Sequence, residues 1–243
     1  MDAEFARNAH QRSGLPDAYS YVGNSFLDSI LSLFPSTPTI LLREHYRCDP
    51  DIIGFCNRQF YGGELLVMTD KVVGTPSVSV IRSVIGNHAF GLENRRQGEE
   101  VVAAVREIFK DFQDIGVITP FKDQVALISQ LLADAGFYNV QVAPVHKFQG
   151  RENDAIILST VSNSINDFID DPHLVNVAIS RAKKLFVLII TGNELAEGNL
   201  KDLVGYITYC GGAVRESGIQ SIFDRLYSQY TEERKAYAVS HRH

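Results

Sequence analysis

Three strand-length segments of this chain are almost continuously apolar, namely residues 115–119, 155–161 and 185–191. A strand has this composition when both of its faces are covered, as in a parallel sheet enclosed between two layers of helices. Stretches with helical periodicity separate the three segments, and a regular alternation of strands and helices is typical of α/β domains. The pattern therefore predicts an α/β fold with a mostly parallel sheet flanked by helices.

The rest of the chain continues this alternation. Further strands are predicted at residues 39–42, 78–84 and 140–142. Amphipathic helices are predicted at residues 25–34, 50–61, 99–112, 122–135, 172–184 and 200–209. A last apolar stripe predicts a helix near the C-terminus, and its members are Ile219, Ile222, Phe223, Leu226, Tyr227 and Tyr230. Outside helix 25–34, residues 1–38 are predicted to be irregular because glycines and prolines interrupt them.

Composition narrows the classes of protein to consider. The chain is 45% hydrophobic and 21% charged, as globular proteins are. Its net charge of −6 argues against a strongly basic nucleic-acid binder, although a few placed lysines and arginines can still form a local phosphate track. Cys48, Cys56 and Cys210 lack metal-site spacing, so we expect reduced thiols, no metal site and a cytoplasmic location. Residues 1–14 do not resemble a signal peptide, and no apolar run is long enough to cross a membrane.

The motifs with which α/β domains bind nucleotide phosphates are absent from this sequence. It contains no G-x-x-x-x-G-K-[ST], no Gly-Lys dipeptide and no G-x-G-x-x-G. No Asp-Glu pair follows a predicted strand to hold magnesium. Because a complete P-loop NTPase needs both a phosphate cradle and a metal-binding carboxylate, we do not expect this chain to be a self-sufficient NTPase.

Four polar clusters adjoin the predicted strands, and we expect them past the carboxyl ends of those strands, where open α/β sheets place their sites. They occupy residues 43–47, 119–124, 145–152 and 176–183. Taken singly, each has an ordinary explanation. Arg47 and Arg181 could be surface arginines paired with acids, and Gln124 could decorate a helix start. Gln149 and Gly150 could form a simple turn.

Taken together, the four clusters resemble the C-terminal motor-domain motifs of superfamily 1 helicases, in particular the Upf-like and Senataxin-like branch and its bacterial relatives. The resemblance covers about residues 39–191. It rests on four segments in the family's order: LLREHYRCDPDIIGFCNRQFYGGEL (41–65), IGVITPFKDQ (115–124), VHKFQGRENDAIILSTV (145–161) and NVAISRAKKLFVLI (176–189).

This resemblance implies a RecA-like three-layer domain at residues 39–192. Residues 1–38 would then be a lead-in after a first RecA-like domain, and residues 193–243 would be helices that pack on the second domain or link it to a further module. The first domain would carry the P-loop and the magnesium-binding acids. ATP and Mg²⁺ would be bound only through that domain, so this chain alone is predicted to be inactive. The other implied partner is single-stranded DNA or RNA, with no membrane.

The resemblance also implies roles for individual residues. Arg47 and Arg181 match the two arginines that contact the γ-phosphate, and Glu152 matches an acid that contacts the ribose. Tyr46 and Gly150 complete the implied nucleotide side. The implied nucleic-acid contacts are Thr119, Pro120, Gln124, His146, Lys147 and Gln149. Two positions depart from the common pattern, because His146 stands where many relatives have Asp and Ser180 stands where Thr is commoner.

Three functional hypotheses remain open at this stage. The first is the nucleotide-responsive half of a 5′-to-3′ helicase or translocase. The second is a non-catalytic nucleic-acid-binding or scaffold module that keeps the motor fold, which the absent P-loop motivates. In the third, helix 217–230 begins an appended module such as a nuclease, whereas the simpler alternative is a C-terminal helix that packs on the motor domain.

Overall fold

A computed structural model describes residues 3–20, 22–40, 42–71, 74, 76–84, 89–192 and 197–219 of this protein. The chain divides into two compact units, Met1–Leu42 and Arg43–His243, which are described separately.

The first unit contains more helix than its sequence predicts. The sequence does not predict helix α1 (Ala3–Ser13), because its residues are mostly polar and show no apolar stripe. Helix α2 (Phe26–Leu33) confirms the predicted short helix, and Ser25 and Asp28 cap it reciprocally through their side chains and backbone amides. The predicted strand 39–42 is wrong: Thr39, Ile40 and Leu42 are not in a strand.

The second unit is built around a six-stranded parallel sheet, which confirms the predicted α/β class. In chain order its strands are β3 (Val78–Ser83), β6 (Ile115–Ile118), β7 (Gln141–Ala143), β8 (Asn153–Ser159), β9 (Ala182–Thr191) and β10 (Ala213–Glu216). Their order across the sheet is β10-β3-β9-β8-β6-β7, with every neighbouring pair parallel. Two small ladders accompany the sheet: β1 (Glu44–His45) with β2 (Leu66–Val67), and β4 (Ala89–Phe90) with β5 (Glu93–Asn94).

Helices cover the sheet on both faces and so form three layers. Helices α3 (Pro50–Phe60), α6 (Pro172–Ser180) and α7 (Asn199–Tyr209) pack on one face, whereas α4 (Arg95–Ile108) and α5 (Lys122–Asp134) pack on the other. Successive residues of β8 belong to the hydrophobic cores on opposite faces of the sheet. Ile156 and Leu158 lie in the core beneath α3, α6 and α7, and Ile157 lies in the core beneath α4 and α5. This two-sided burial explains the continuously apolar strand sequences.

Several element boundaries differ from the prediction for local reasons. Helix α4 begins at Arg95, four residues early, because the Asn94 side chain caps it by accepting from the Gln97 amide. Helix α6 ends at Ser180 because Ala182 already begins β9. The sequence does not predict strand β10, because all four of its residues are exposed at the sheet edge. The predicted helix from Ile219 onward lies outside the described residues except for Ile219 itself. None of the helices in the described ranges is long and apolar enough to cross a membrane.

The three cysteines occupy different environments, which yields a first test of the fold. Cys48 and Cys56 are fully buried, whereas Cys210 is half-buried. Burial raises the pKa of the Cys48 thiol from its ordinary 9.0 to about 12, and burial also raises the pKa of Cys56. Since only the thiolate reacts and both Cys48 and Cys56 are fully buried, we expect a disulfide reagent at pH 8 to modify the more accessible Cys210 first and the other two thiols much more slowly. Simultaneous modification of all three thiols in the native protein would contradict this arrangement.

Candidate functional site

Three separate segments bring Arg47, Glu152 and Arg181 together beside the sheet. Arg47 lies between β1 and α3, Glu152 immediately precedes β8, and Arg181 lies between α6 and β9. The Arg47 Nε atom is 2.5 Å from Glu152 Oε2. Backbone hydrogen bonds fix the segments to one another, because the Asp49 amide donates to the Lys183 carbonyl at 2.7 Å and the Asn153 amide donates to the Arg181 carbonyl at 3.0 Å.

An open pocket of about 470 Å³ lies at this cluster. Its lining residues are Glu44, His45, Tyr46, Arg47, Glu152 and Lys183. The Tyr46 ring is exposed, and its hydroxyl donates to the Glu44 carboxylate. His45 accepts a 3.0 Å hydrogen bond from the Cys48 amide, and its pKa is lowered by burial and then by the charge of Arg47. His45 is therefore a neutral acceptor in this wall, and the two cations of the wall, Arg47 and Lys183, are paired with Glu152 and Asp154 respectively.

Arg181 is half-buried and incompletely bonded. Its Nη1 donates to the Arg151 carbonyl and its Nη2 donates to Ser180 Oγ, both at 3.3 Å. Its Nε is buried and has no partner among the described residues. Burial lowers the pKa of Arg181, and the positive charge of Arg47 lowers it further, whereas Glu152 acts in the opposite direction. An arginine stays charged under such shifts, so two repelling guanidinium groups are held together where an anion would relieve the repulsion.

The position of this cluster corrects one expectation from the sequence. Arg181 and Glu152 lie at the amino ends of β9 and β8, not past their carboxyl ends. The reason is that both residues precede a strand, and in a parallel sheet every segment that precedes a strand enters at the same edge. Of the four polar clusters, residues 119–124 follow a carboxyl end, that of β6, as predicted. Residues 145–152 run from the carboxyl end of β7 to the amino end of β8 and so connect the two edges.

The residues predicted to contact nucleic acid fall into an exposed and a buried group. His146, Lys147 and Gln149 are exposed, and Pro120 is half-buried. His146 and Lys147 lie on a 3-10 helix (Val145–Phe148) that the fully buried Phe148 anchors in the core. Gly150 follows with a φ of 77°, which favours glycine.

Thr119 and Gln124 form the buried group. Thr119 is fully buried, and its Oγ1 has no partner among the described residues. Both amide atoms of Gln124 are engaged: its Oε1 accepts from the Asn94 amide at 2.7 Å, and its Nε2 donates to the Asn94 carbonyl at 3.1 Å. Through these two hydrogen bonds Gln124 positions the backbone of Asn94. The exposed residues His146, Lys147 and Gln149 are therefore the ones available to contact nucleic acid.

A buried polar network that the sequence does not predict lies at the carboxyl edge of the sheet. Gln97 accepts from Ser159 Oγ at 2.7 Å and from the Val161 amide at 2.8 Å, and it donates to Thr191 Oγ1 at 2.8 Å. The Asn94 side chain donates to the Val161 carbonyl at 2.7 Å. Val161 has a φ of 71°, a strained value for a β-branched residue. Asn94 and Gln97 thus hold both backbone groups of Val161 where the chain leaves β8.

Comparison with known proteins places this architecture in a family. Residues 22–194 match the AAA_12 family, which is described as an AAA domain. The mouse "3'-5' exoribonuclease HELZ2" is 34% identical over 196 residues, which are 64% of this chain and 7% of that protein. The Neurospora crassa "Regulator of nonsense transcripts 1 homolog" is 33% identical over 182 residues, which are 63% of this chain and 16% of that protein.

A third relative covers more of this chain. The mouse "5'-3' DNA helicase ZGRF1" is 30% identical over 217 residues, which are 80% of this chain and 11% of that protein. The chain thus spans only a small part of the length of each of these three relatives.

Proposed function

Because the chain belongs to the AAA_12 family and is a C-terminal motor domain of the Upf-like superfamily 1 helicases, we propose that it supplies two arginine fingers to ATP held by a first RecA-like domain. The observation that carries the proposal is the open pocket lined by Arg47 and Glu152, with the incompletely bonded Arg181 near enough for its pKa to respond to both charges. Arginine suits this role because its planar, permanently charged fork can engage phosphate oxygens through two hydrogen bonds.

The residues present fit a polyphosphate. Arg181 has a buried Nε without a partner among the described residues, and its charge is held near that of Arg47. A phosphate oxygen would accept a hydrogen bond from the Nε of Arg181. Its negative charge would also offset the repulsion between the Arg47 and Arg181 guanidinium groups. ATP and Mg²⁺, bound through the first domain, would supply the transferable phosphoryl group and its metal.

The contacts within the cluster suggest how its residues act. The ion pair with Glu152 orients Arg47 toward the pocket before nucleotide arrives. In the proposed complex Arg47 and Arg181 engage the γ-phosphate and stabilise the charge that develops on it, while Glu152 faces the ribose. Tyr46 lies next to Arg47, and Gly150 lies two residues before Glu152, so we assign both to the nucleotide-binding side as well. Arg47 must then exchange Glu152 for phosphate, which makes its position sensitive to the bound nucleotide.

On the strand side, we assign Pro120, His146, Lys147 and Gln149 to a track for single-stranded DNA or RNA, with Thr119 and Gln124 beneath it. Segment 145–152 supports coupling between the two sides because it begins at the strand side and ends at Glu152. We further propose 5′-to-3′ movement, which is the polarity in the name of the ZGRF1 relative.

A second candidate function, a non-catalytic binding module with a motor fold, is favoured by the absence of a P-loop sequence. The full open reading frame separates the two candidates. A G-x-x-x-x-G-K-[ST] motif and a strand that ends in Asp-Glu upstream of Met1 would support the motor, and their absence from the complete protein would support the binding module.

Replacing Lys147 with Glu tests the strand track. We expect this substitution to weaken binding of single strands of every sequence and to reduce the salt dependence of binding by about one phosphate contact, because a lysine that contacts phosphate carries no sequence information. Fluorescence anisotropy of a labelled single strand at several salt concentrations measures both effects. Lys110→Glu is the matched control, since Lys110 is an exposed lysine beyond the last turn of α4. Equal affinity and equal salt slope for the two variants would contradict the track.

A further inference from the structure

Two phenylalanines form a partly exposed stack that the proposed mechanism has not used. The rings of Phe121 and Phe168 are 5.7 Å apart between centroids and inclined by 29°. Phe121 is half-buried and packs against the core on the α3, α6 and α7 face. Phe168 is 56% exposed. The stack thus has one ring fixed in the protein and one ring largely open to solvent.

The stack lies at the carboxyl edge, where three neighbouring strands end level with one another. Ile118 of β6 is in register with Ala143 of β7 and with Leu158 of β8. The segment after β6 carries Phe121 and the segment after β8 carries Phe168. The segment after β7 carries the exposed His146 and Lys147. Aromatic and cationic side chains therefore leave the same edge of the sheet from adjacent strands.

The exposure of Phe168 is maintained by the residues around it. Ile169, the next residue, is buried, and its amide donates to both the backbone and the side-chain oxygen of Asn166 at 3.0 Å. Upstream, the hydrogen bond from Asn94 to the Val161 carbonyl anchors the start of the same loop. Asn94 also holds Gln124, one turn beyond Phe121 in α5. One buried residue thus ties together the bases of both aromatic segments.

The charges beside the stack indicate which part of a strand it could contact. Lys122 and Asp123 follow Phe121, Asp167 precedes Phe168, and all three are exposed. Acidic neighbours disfavour a phosphate at the ring. A nucleobase is uncharged and presents a flat face to an aromatic ring, so it is compatible with this surrounding.

We propose that the Phe121–Phe168 stack is a base-stacking platform for single-stranded nucleic acid, in which Phe168 contacts a base and Phe121 supports Phe168 from below. The inference rests on the proposed function, because it uses the strand track at the same edge. It adds a base contact to a track that otherwise consists of phosphate and sugar contacts. Stacking tolerates every base, so the platform holds the strand without selecting a sequence.

Binding of short single strands to the 243-residue chain tests the platform. The probes are fluorescein-labelled oligo-dT and oligo-U of about 12 nucleotides, a length within the range that single-strand sites occupy. We expect Phe168→Ala to weaken binding of at least one probe by about 5-fold or more, the effect of losing one stacked base. We expect Phe168→Trp to retain wild-type affinity and Phe168→Leu to behave like Phe168→Ala. Tyr138→Ala is the matched control and should bind like wild type, because Tyr138 is 80% exposed but lies between α5 and β7 at the opposite edge.

The possible outcomes separate the platform from the strand track. Wild-type affinity of Phe168→Ala or Phe168→Leu for both probes, together with a loss of affinity in Lys147→Glu, would overturn the platform and leave the track intact. Failure of the wild-type chain to bind either probe at low salt would overturn the track and the platform with it. If the Phe168 variants have the same denaturant midpoint as wild type, their loss of affinity comes from a lost contact with the strand and not from a less stable fold.

Discussion

Replacing Arg181 with Ala in the full-length protein is expected to lower the kcat of strand-stimulated ATP hydrolysis by about 10³–10⁵-fold, the effect of losing an arginine finger. The incomplete bonding of Arg181 supports this proposed role. Its guanidinium makes two long hydrogen bonds, leaves Nε without a partner among the described residues, and lies near the charge of Arg47. An arginine that only stabilised the fold would be expected to have its donors satisfied.

Two further variants make this prediction specific. Arg106→Ala removes an exposed arginine from the last turn of α4 and should leave kcat unchanged. Arg47→Ala should also lower kcat strongly, and the Arg47→Ala/Arg181→Ala double variant should lose less than the product of the single effects, because both groups would stabilise one transition state. Unchanged kcat in Arg181→Ala, with the denaturant midpoint also unchanged, would remove the basis for assigning this residue to the nucleotide.

Replacing Phe148 with Ala is expected to lower the free energy of unfolding by about 3–5 kcal/mol, the usual effect of truncating a buried phenylalanine. Phe148 is fully buried and packs on Gly116 of β6, where even an added Cβ would lie 2.8 Å from the Phe148 ring. Gly116 has no side chain of its own that could move into the resulting cavity. Phe148 also anchors the segment that carries Lys147 and Glu152, so its loss should weaken strand binding as well.

Urea unfolding of the 243-residue chain measures this effect. Gln149→Ala is the matched control, because Gln149 is the next residue and is exposed, and it should change the unfolding free energy by less than about 0.5 kcal/mol. A loss below about 1 kcal/mol in Phe148→Ala would show that this ring does not anchor the segment.

The sequence predicts the layered fold well because burial on both faces of the sheet gives continuously apolar strands such as 155–161. The prediction fails for elements whose burial does not produce an apolar pattern. Strand β10 is an exposed edge strand, and helix α1 has no apolar stripe, so neither produces a periodic signal. The apolar residues 39–42 give the opposite error, since Ile40 and Leu42 are 84% and 85% exposed and belong to no strand.

The candidate site could be predicted in part. The motif resemblance selects Arg47, Glu152 and Arg181, and the fold places Arg47 and Glu152 at one pocket with Arg181 within reach of their charges. The network around Gln97 could not be predicted, because a single glutamine in the first turn of an amphipathic helix looks like a surface residue. Its burial is apparent only when the ends of β8 and β9 lie beside it.

The same limit applies to Gln124. Its position in a helicase-like motif suggests a contact with nucleic acid, whereas its amide is occupied by the backbone of Asn94, 30 residues away along the chain. Hydrogen bonds between residues so distant in sequence depend on the packing of α4 against α5, which a motif does not encode.

The central proposal is that this domain holds one half of a divided ATP site. Its most direct test is to compare the rate of ATP hydrolysis by the 243-residue chain alone with that of the full-length protein, each with saturating single strands. We expect strand-stimulated turnover by the full-length protein and no turnover above background by the chain alone. Steady strand-stimulated hydrolysis by the chain alone, abolished by Arg181→Ala in that same chain, would contradict the divided site and require a complete phosphate-binding site within these residues.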